Sequence, residues 1–263
     1  MTLALRPALR VVVALLLAAG ACSSSGDDAG DDAAGDDGGG GDDAAGDDGD
    51  DGGGGGDDGG DGAGAGQLIA AYWGQNGYGG THPGDMASWE PRLADVCAVP
   101  HYDVIVLAFM TSFVSARNAG QPELNFSYHC ETPIDGEHPF LLRCEEIEAD
   151  LAACHAAGKK VILSLGGASG AYGFISDAEA ESFADTVWDM FLGGDGPLRP
   201  FGAGSLDGVD LDIEGGGPAG YAAFVRRLRE TMDAAAGDWL ITAAPQCPFP
   251  DAHLGPEIGR AHV

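Results

Sequence analysis

From residue 67 onward, the chain predicts an α/β fold built on a parallel sheet. Five short apolar runs, spaced along the segment and cut off by Gly-Gly, Asp-Gly or Pro, read as strands covered on both faces. Segments of helical spacing lie between several of them, and strands alternating with helices make a parallel sheet. One of the strands carries alternating acids, which sets the chemistry to look for.

The elements follow in order. Leu68-Ile69-Ala70-Ala71-Tyr72-Trp73 ends at Gly74, and Asp103–Phe109 is the second run. Lys159–Leu165 is the third, stopped by Gly166-Gly167, and Trp239–Ala244 is the fifth, stopped by Pro245. Helical patterns cover Glu145–Ala157, Ala178–Leu192 and Gly220–Ala236; the last places Tyr221, Phe224, Val225 and Leu228 on one stripe. A doubly wound sheet and a (β/α) barrel both fit this alternation. No G-x-G-x-x-G opens the first helix, which weakens a dinucleotide-binding reading. In either architecture the functional residues gather at the C-terminal ends of strands.

The fourth run is Asp207-Gly208-Val209-Asp210-Leu211-Asp212-Ile213-Glu214. Strand side chains alternate between faces, so Asp210, Asp212 and Glu214 share one face and Val209, Leu211 and Ile213 the other. Neighbouring acids are then roughly 6–7 Å apart. Three carboxylates at that spacing resist ionising together, and such clusters mark sites that need separated pKa values. A calcium loop would need a turn glycine after the third acid and a closing Glu, not apolar residues in the gaps. No zinc spacing occurs, so no metal and no cofactor is expected.

The remainder of the 263 residues is unlike this segment. Residues 1–21 hold Arg6 and Arg10, then the apolar run Val11–Ala19, then Gly20-Ala21 before Cys22. A basic start, a short apolar core and small residues make an export signal, and the run is too short to span a membrane. Small residues leading into Cys22 resemble a bacterial lipoprotein cleavage box, although Ala19 stands where that box most often has Leu. Residues 22–66 are then a lipidated Cys22 and a Ser/Gly/Ala/Asp tether that cannot bury a core. The tether carries about half of the net charge of −30, which argues against nucleic-acid partners. The expected location is outside the cytoplasm, either on an outer membrane or cell surface through Cys22 alone, or secreted. The expected state is a monomer.

Four stretches carry a resemblance: AAYWGQNG from Ala70, VILSLGGASG from Val161, LDGVDLDIEGG from Leu206 and LITAAPQCPFPDAHLG from Leu240. In order and approximate spacing they resemble the plant-type, hevamine-like chitinases of glycoside hydrolase family 18, from about Leu68 to Leu254. The resemblance implies a (β/α)8 TIM barrel that hydrolyses β-1,4-linked N-acetylglucosamine polymers, chitin or a related polysaccharide. It implies Glu214 as general acid and Asp212 as the group that orients the substrate's 2-acetamido carbonyl. That carbonyl acts as nucleophile, the substrate-assisted exception among retaining glycosidases. Asp210, deeper in the barrel, would share a proton with Asp212. Burial beside other carboxyls is expected to keep Glu214 protonated near neutral pH. Tyr72, Gln75, Asn125, Ala168 and Gln246 match positions that line the sugar cleft. Asp207 falls on the opposite face and reads as structural, as do Trp73 and Trp239 within their apolar runs.

The resemblance also pairs Cys97 with Cys154 and Cys130 with Cys144; spacing alone allows three connectivities for these four. The family partner of Cys247 would lie beyond Val263. Only about five βα units of the barrel are present, and the Tyr and Trp that the family carries on its sixth and last strands have no counterpart. The chain is therefore expected to be C-terminally incomplete and to hydrolyse little by itself. A carbohydrate-binding barrel without catalysis, or an inactive fragment, is the alternative reading.

Overall fold

The computed structural model describes residues 12–13, 68–247 and 250–255. Cys22, the tether 22–66 and all of 1–21 except Val12–Val13 lie outside the described residues.

The five expected strands all form: β1 Ala70–Trp73, β2 Val104–Ser112, β3 Lys160–Gly166, β4 Gly208–Asp212 and β5 Leu240–Ala243. They pair in parallel in chain order, β1-β2-β3-β4-β5. The far edge of β5 pairs in parallel with Val12–Val13. Beyond its parallel part, β2 pairs antiparallel with Glu123–Leu124, a short return that the sequence pattern does not announce.

Five α-helices are described: α1 Gly77–Thr81, α2 Leu93–Cys97, α3 Glu145–Ala156, α4 Asp177–Phe191 and α5 Tyr221–Ala234. The last three match the sequence pattern within two residues at each end. Glu145, Glu146 and Glu148 sit in the first turn of α3, where the helix dipole favours negative charge. Ser176 caps α4 by accepting the Glu179 N–H, and Glu179 reaches back to the Ile175 N–H. The two short helices escaped notice because one turn shows no period.

The sheet curves, and one contact proves it. Tyr72 on β1 and Asp210 on β4 are separated by two strands, roughly 14 Å along a flat sheet. Their side chains nevertheless meet at 2.6 Å across the concave face. Val104, Val106, Ile162 and Leu240 fill that hollow, with Ala70 and Tyr72 against them. The convex face sends Ile105, Leu107, Val161, Leu163, Leu165, Val209 and Leu211 towards the helices. Both faces are buried, which is why the strands read as continuous apolar runs. The arc is the first part of a (β/α) barrel.

Trp73 is buried, with its indole N–H on the Pro91 carbonyl at 2.8 Å. Trp239 packs edge-on against Trp188 at the margin of the core. Disulfides join Cys97 to Cys154, tying α2 to α3, and Cys130 to Cys144. Both are the pairs that the family resemblance implies.

Candidate active site

β4 ends at Asp212, so Ile213 and Glu214 lie just past the ladder at the C-terminal end of the sheet. Close backbone packing holds this end. A Cβ on Gly166 would stand 2.0 Å from the Asp212 carbonyl oxygen, and at the opposite end of β4 one on Gly208 would stand 2.0 Å from that of Leu240. Only glycine lets β3, β4 and β5 approach so tightly. Gly167 then donates its N–H to the Asp212 carbonyl at 2.7 Å.

The three acids occupy unlike environments. Asp210 is 1% exposed. Tyr72 and Ser164 donate their hydroxyls to its Oδ2 at 2.6 and 2.8 Å, and Thr242 donates to its Oδ1 at 2.6 Å. Three hydroxyls from β1, β3 and β5 thus satisfy a buried carboxylate on β4. Burial beside that carboxylate pushes the Tyr72 hydroxyl far above its ordinary pKa, so it stays a donor. Asp212 is also buried, at 8% exposed, and no hydrogen bond reaches its side chain among the described residues. Burial first, then the charges of Glu214 and Asp210, push its pKa up to about 7. Glu214 is exposed. This corrects the expectation that Glu214 is buried beside the other carboxyls. The strand stops two residues before it, so it stands in the open mouth while Asp212 is enclosed. Asp210 shares no hydrogen bond with Asp212 among the described residues; its oxygens are taken by hydroxyls.

The other expected residues fall at the same end but in different states. Gln75 follows β1, and its Nε2 donates to the carbonyls of Ala108 and Asn125 at 2.7 and 3.0 Å. Its amide is therefore spent on fixing the loops after β1 and β2. Asn125 pairs by backbone with Phe109 in both directions, and its side chain accepts the Ser127 N–H. Ala168 is exposed just after Gly167. Gln246 is exposed after β5, and its backbone N–H donates to Asp251 at 2.6 Å. Tyr72 is half-buried, with its hydroxyl bound to Asp210 inside the hollow. Asp207 sits at the opposite end of β4. It accepts the Val161 N–H at 2.9 Å and contacts His155 and Lys160, a structural set.

Sequence reasoning missed Tyr172. Its hydroxyl donates to the Gly167 carbonyl at 2.6 Å and accepts the Glu214 N–H at 3.1 Å. Burial raises its pKa, as do the nearby acids Glu214 and Asp212. A tyrosine five residues after a Gly-Gly turn carries no signal by itself, because its partner lies 42 residues on. Glu90 was missed as well. Its Oε2 accepts the N–H groups of Gly74 and Asn76 at 3.0 and 2.9 Å and meets His129 Nε2 at 3.0 Å, clamping the turn after β1.

The family profile of the glycosyl hydrolases family 18 matches residues 68–262. Chitinase 1 of Rhizopus niveus is 45% identical over 193 residues, covering 73% of this chain and 36% of that protein. The endochitinase of Saccharomyces cerevisiae is 40% identical over 197 residues, covering 74% of this chain and 32% of the relative. The chain thus spans about a third of the length of these fungal relatives. Among solved structures, a chitinase from Ipomoea carnea superposes with a TM-score of 0.61 at 33% identity, covering 74% of this chain and 64% of that one. A xylanase and α-amylase inhibitor protein, XAIP-I, superposes with a TM-score of 0.59 at 31% identity, covering 74% and 62%. The fold, the acidic strand and a family match along the whole folded segment lead to one assignment: this chain belongs to glycosyl hydrolase family 18.

Proposed function

We propose that the protein hydrolyses β-1,4-linked N-acetylglucosamine polymers with retention, through the neighbouring acetamido group of the substrate. The observation that carries this reading is the graded acid row. Asp210 is sealed by three hydroxyls, Asp212 is buried with a pKa near 7, and Glu214 is open to the mouth. Glu214 protonates the glycosidic oxygen as the acetamido carbonyl oxygen closes on the anomeric carbon. The C–O bond to the leaving sugar breaks, and an oxazolinium ion forms. Asp212 hydrogen-bonds the acetamido nitrogen and offsets the positive charge. Glu214, now ionised, takes a proton from the water that opens the ring. Tyr72 on β1 and Gln75, Asn125, Ala168 and Gln246 in the loops at the C-terminal end of the sheet would face the sugar. No cofactor enters this scheme.

The test is release of shorter oligomers from a soluble chitin oligomer by the full-length protein and its Glu214→Gln variant. The amide is nearly isosteric but delivers no proton, so turnover should collapse while affinity persists. Wild-type turnover in the variant would refute the acid assignment. A second reading, a carbohydrate-binding or inhibitory barrel without catalysis, draws on the likeness to XAIP-I. Under it the wild type binds oligomers and cleaves none.

The N-terminal segment belongs to the same proposal. Residues 1–21 direct export, Cys22 carries lipid, and 22–66 hold the barrel as a monomer away from an outer membrane or cell surface. Two disulfides in the folded segment support an oxidising compartment. Mass spectrometry of the exported protein should find an acylated Cys22 as the first residue. An unmodified N-terminus elsewhere would defeat this.

A further inference from the structure

Asn125-Phe126-Ser127 is the only Asn-x-Ser or Asn-x-Thr triplet in the chain, and its middle residue is not proline. This triplet is the acceptor signature for N-linked glycan transfer, and it carries meaning only in an exported chain with the asparagine at the surface. Glu123, two residues earlier, extends it to the longer acid-x-Asn-x-Ser form that bacterial transferases of this kind read. The two disulfides of the folded segment support the export.

The fold supplies the surface. Phe126 is fully buried and anchors the triplet, while Asn125 beside it is exposed. The Asn125 backbone is pinned to Phe109 in both directions, at 2.9 and 3.0 Å. Its side-chain Oδ1 accepts the Ser127 N–H at 2.9 Å, an Asx turn. A purely structural asparagine would be explained by that turn, which uses the oxygen alone. The amide nitrogen carries the further information. No hydrogen bond reaches Asn125 Nδ2 or the Ser127 hydroxyl among the described residues, and Nδ2 is the atom that a glycan joins. Both residues line an open cavity of about 700 Å³, so a sugar on Nδ2 meets room and not packed side chains. The other two asparagines of the chain contrast with this one. Asn76 and Asn118 are buried, and their side chains are spent on backbone groups of Gly79 and Glu90 and of Pro122 and Phe140.

We infer that Asn125 is a modification site, the acceptor of an N-linked oligosaccharide delivered from a polyprenyl diphosphate donor during export. The inference rests on the proposed export and not on the proposed hydrolysis. Nδ2 attacks the anomeric carbon of the first sugar, a C–N bond forms, and the C–O bond to the diphosphate breaks. Nδ2 loses one proton and the lipid diphosphate leaves, so no oxidant or reductant enters. Transfer precedes the sealing of Phe126 into the core, and the folded chain then leaves the glycan outside. It stands at the C-terminal end of the sheet, where Gln75 Nε2 holds the Asn125 carbonyl at 3.0 Å.

The test expresses the full chain in a bacterium that holds an oligosaccharyltransferase and its lipid-linked donor, beside a known exported acceptor protein. Peptides of the exported fraction are mapped by mass spectrometry. The peptide spanning Asn125 should carry the glycan mass. Ser127→Ala should lose that mass while keeping Asn125, and Ser127→Thr should retain it. A second arm presents the reduced, unfolded full chain to the purified transferase and donor, so a variant that folds poorly is still scored. Exported protein with Asn125 unmodified, while the control protein is modified, would overturn the proposal even if the unfolded chain accepts the glycan, because the fold then closes the acceptor. A glycan that survives Ser127→Ala would overturn it as well. A chain that never leaves the cytoplasm would instead overturn the export reading, and transfer or its absence in the second arm would then decide the acceptor.

Discussion

The Tyr172 hydroxyl accepts a hydrogen bond from the backbone N–H of Glu214 at 3.1 Å and donates one to the Gly167 carbonyl at 2.6 Å. Glu214 lies past the end of β4, where no neighbouring strand holds its amide. A side chain from the loop after β3 does so instead. The acid is thereby tied to the same Gly-Gly turn that packs against Asp212.

Tyr172→Phe should loosen that tie. One hydrogen bond is worth roughly 0.5–1.5 kcal/mol net, so turnover should fall roughly 2–10-fold. KM for a chitin oligomer should change little, because the ring still packs against Phe113. Steady-state kinetics on folded protein check this; an effect confined to KM would place Tyr172 in sugar binding.

Asp212 makes stability depend on pH in a defined direction. Its folded pKa is about 7, above its ordinary 3.8. The protonated form is therefore favoured by folding. This contribution is complete below about pH 4 and is lost as pH rises through about 7. The urea midpoint of the wild type should fall between pH 5 and pH 8. Asp212→Asn should flatten that fall while reducing turnover strongly, since the charge facing the oxazolinium is gone. A variant with the same pH slope as the wild type would contradict the assignment.

Asp207→Asn should act on stability and not on chemistry. The carboxylate satisfies the Val161 N–H, the Lys160 ammonium and the His155 ring nitrogen at the end of β4 remote from Glu214. Its loss should cost about 1–3 kcal/mol. Turnover per folded molecule should stay near wild type, measured alongside denaturant unfolding.

The disulfides should differ in worth. Cys97–Cys154 spans 57 residues and Cys130–Cys144 spans 14. In the chain-entropy treatment these closures stabilise by about 4 and about 3 kcal/mol. Paired Cys→Ala variants should reproduce that order in unfolding free energy. Non-reducing peptide mapping should recover these two pairings, and a Cys97–Cys130 peptide would refute them.

The sequence by itself determined the five strands, the three long helices and the shared face of Asp210 and Asp212. These follow from local periods of two and 3.6, which short stretches of chain express without knowledge of their neighbours. Only the tertiary structure decided what each acid experiences. Asp210 is satisfied by Tyr72, Ser164 and Thr242 because the sheet curves and brings β1 across to β4. The burial of Asp212 and the exposure of Glu214 depend on where the ladder ends, which the alternation does not encode. The Tyr172 link crosses 42 residues and the Tyr72 link 138. Contacts at such separations are set by how the elements pack, and no local pattern carries them.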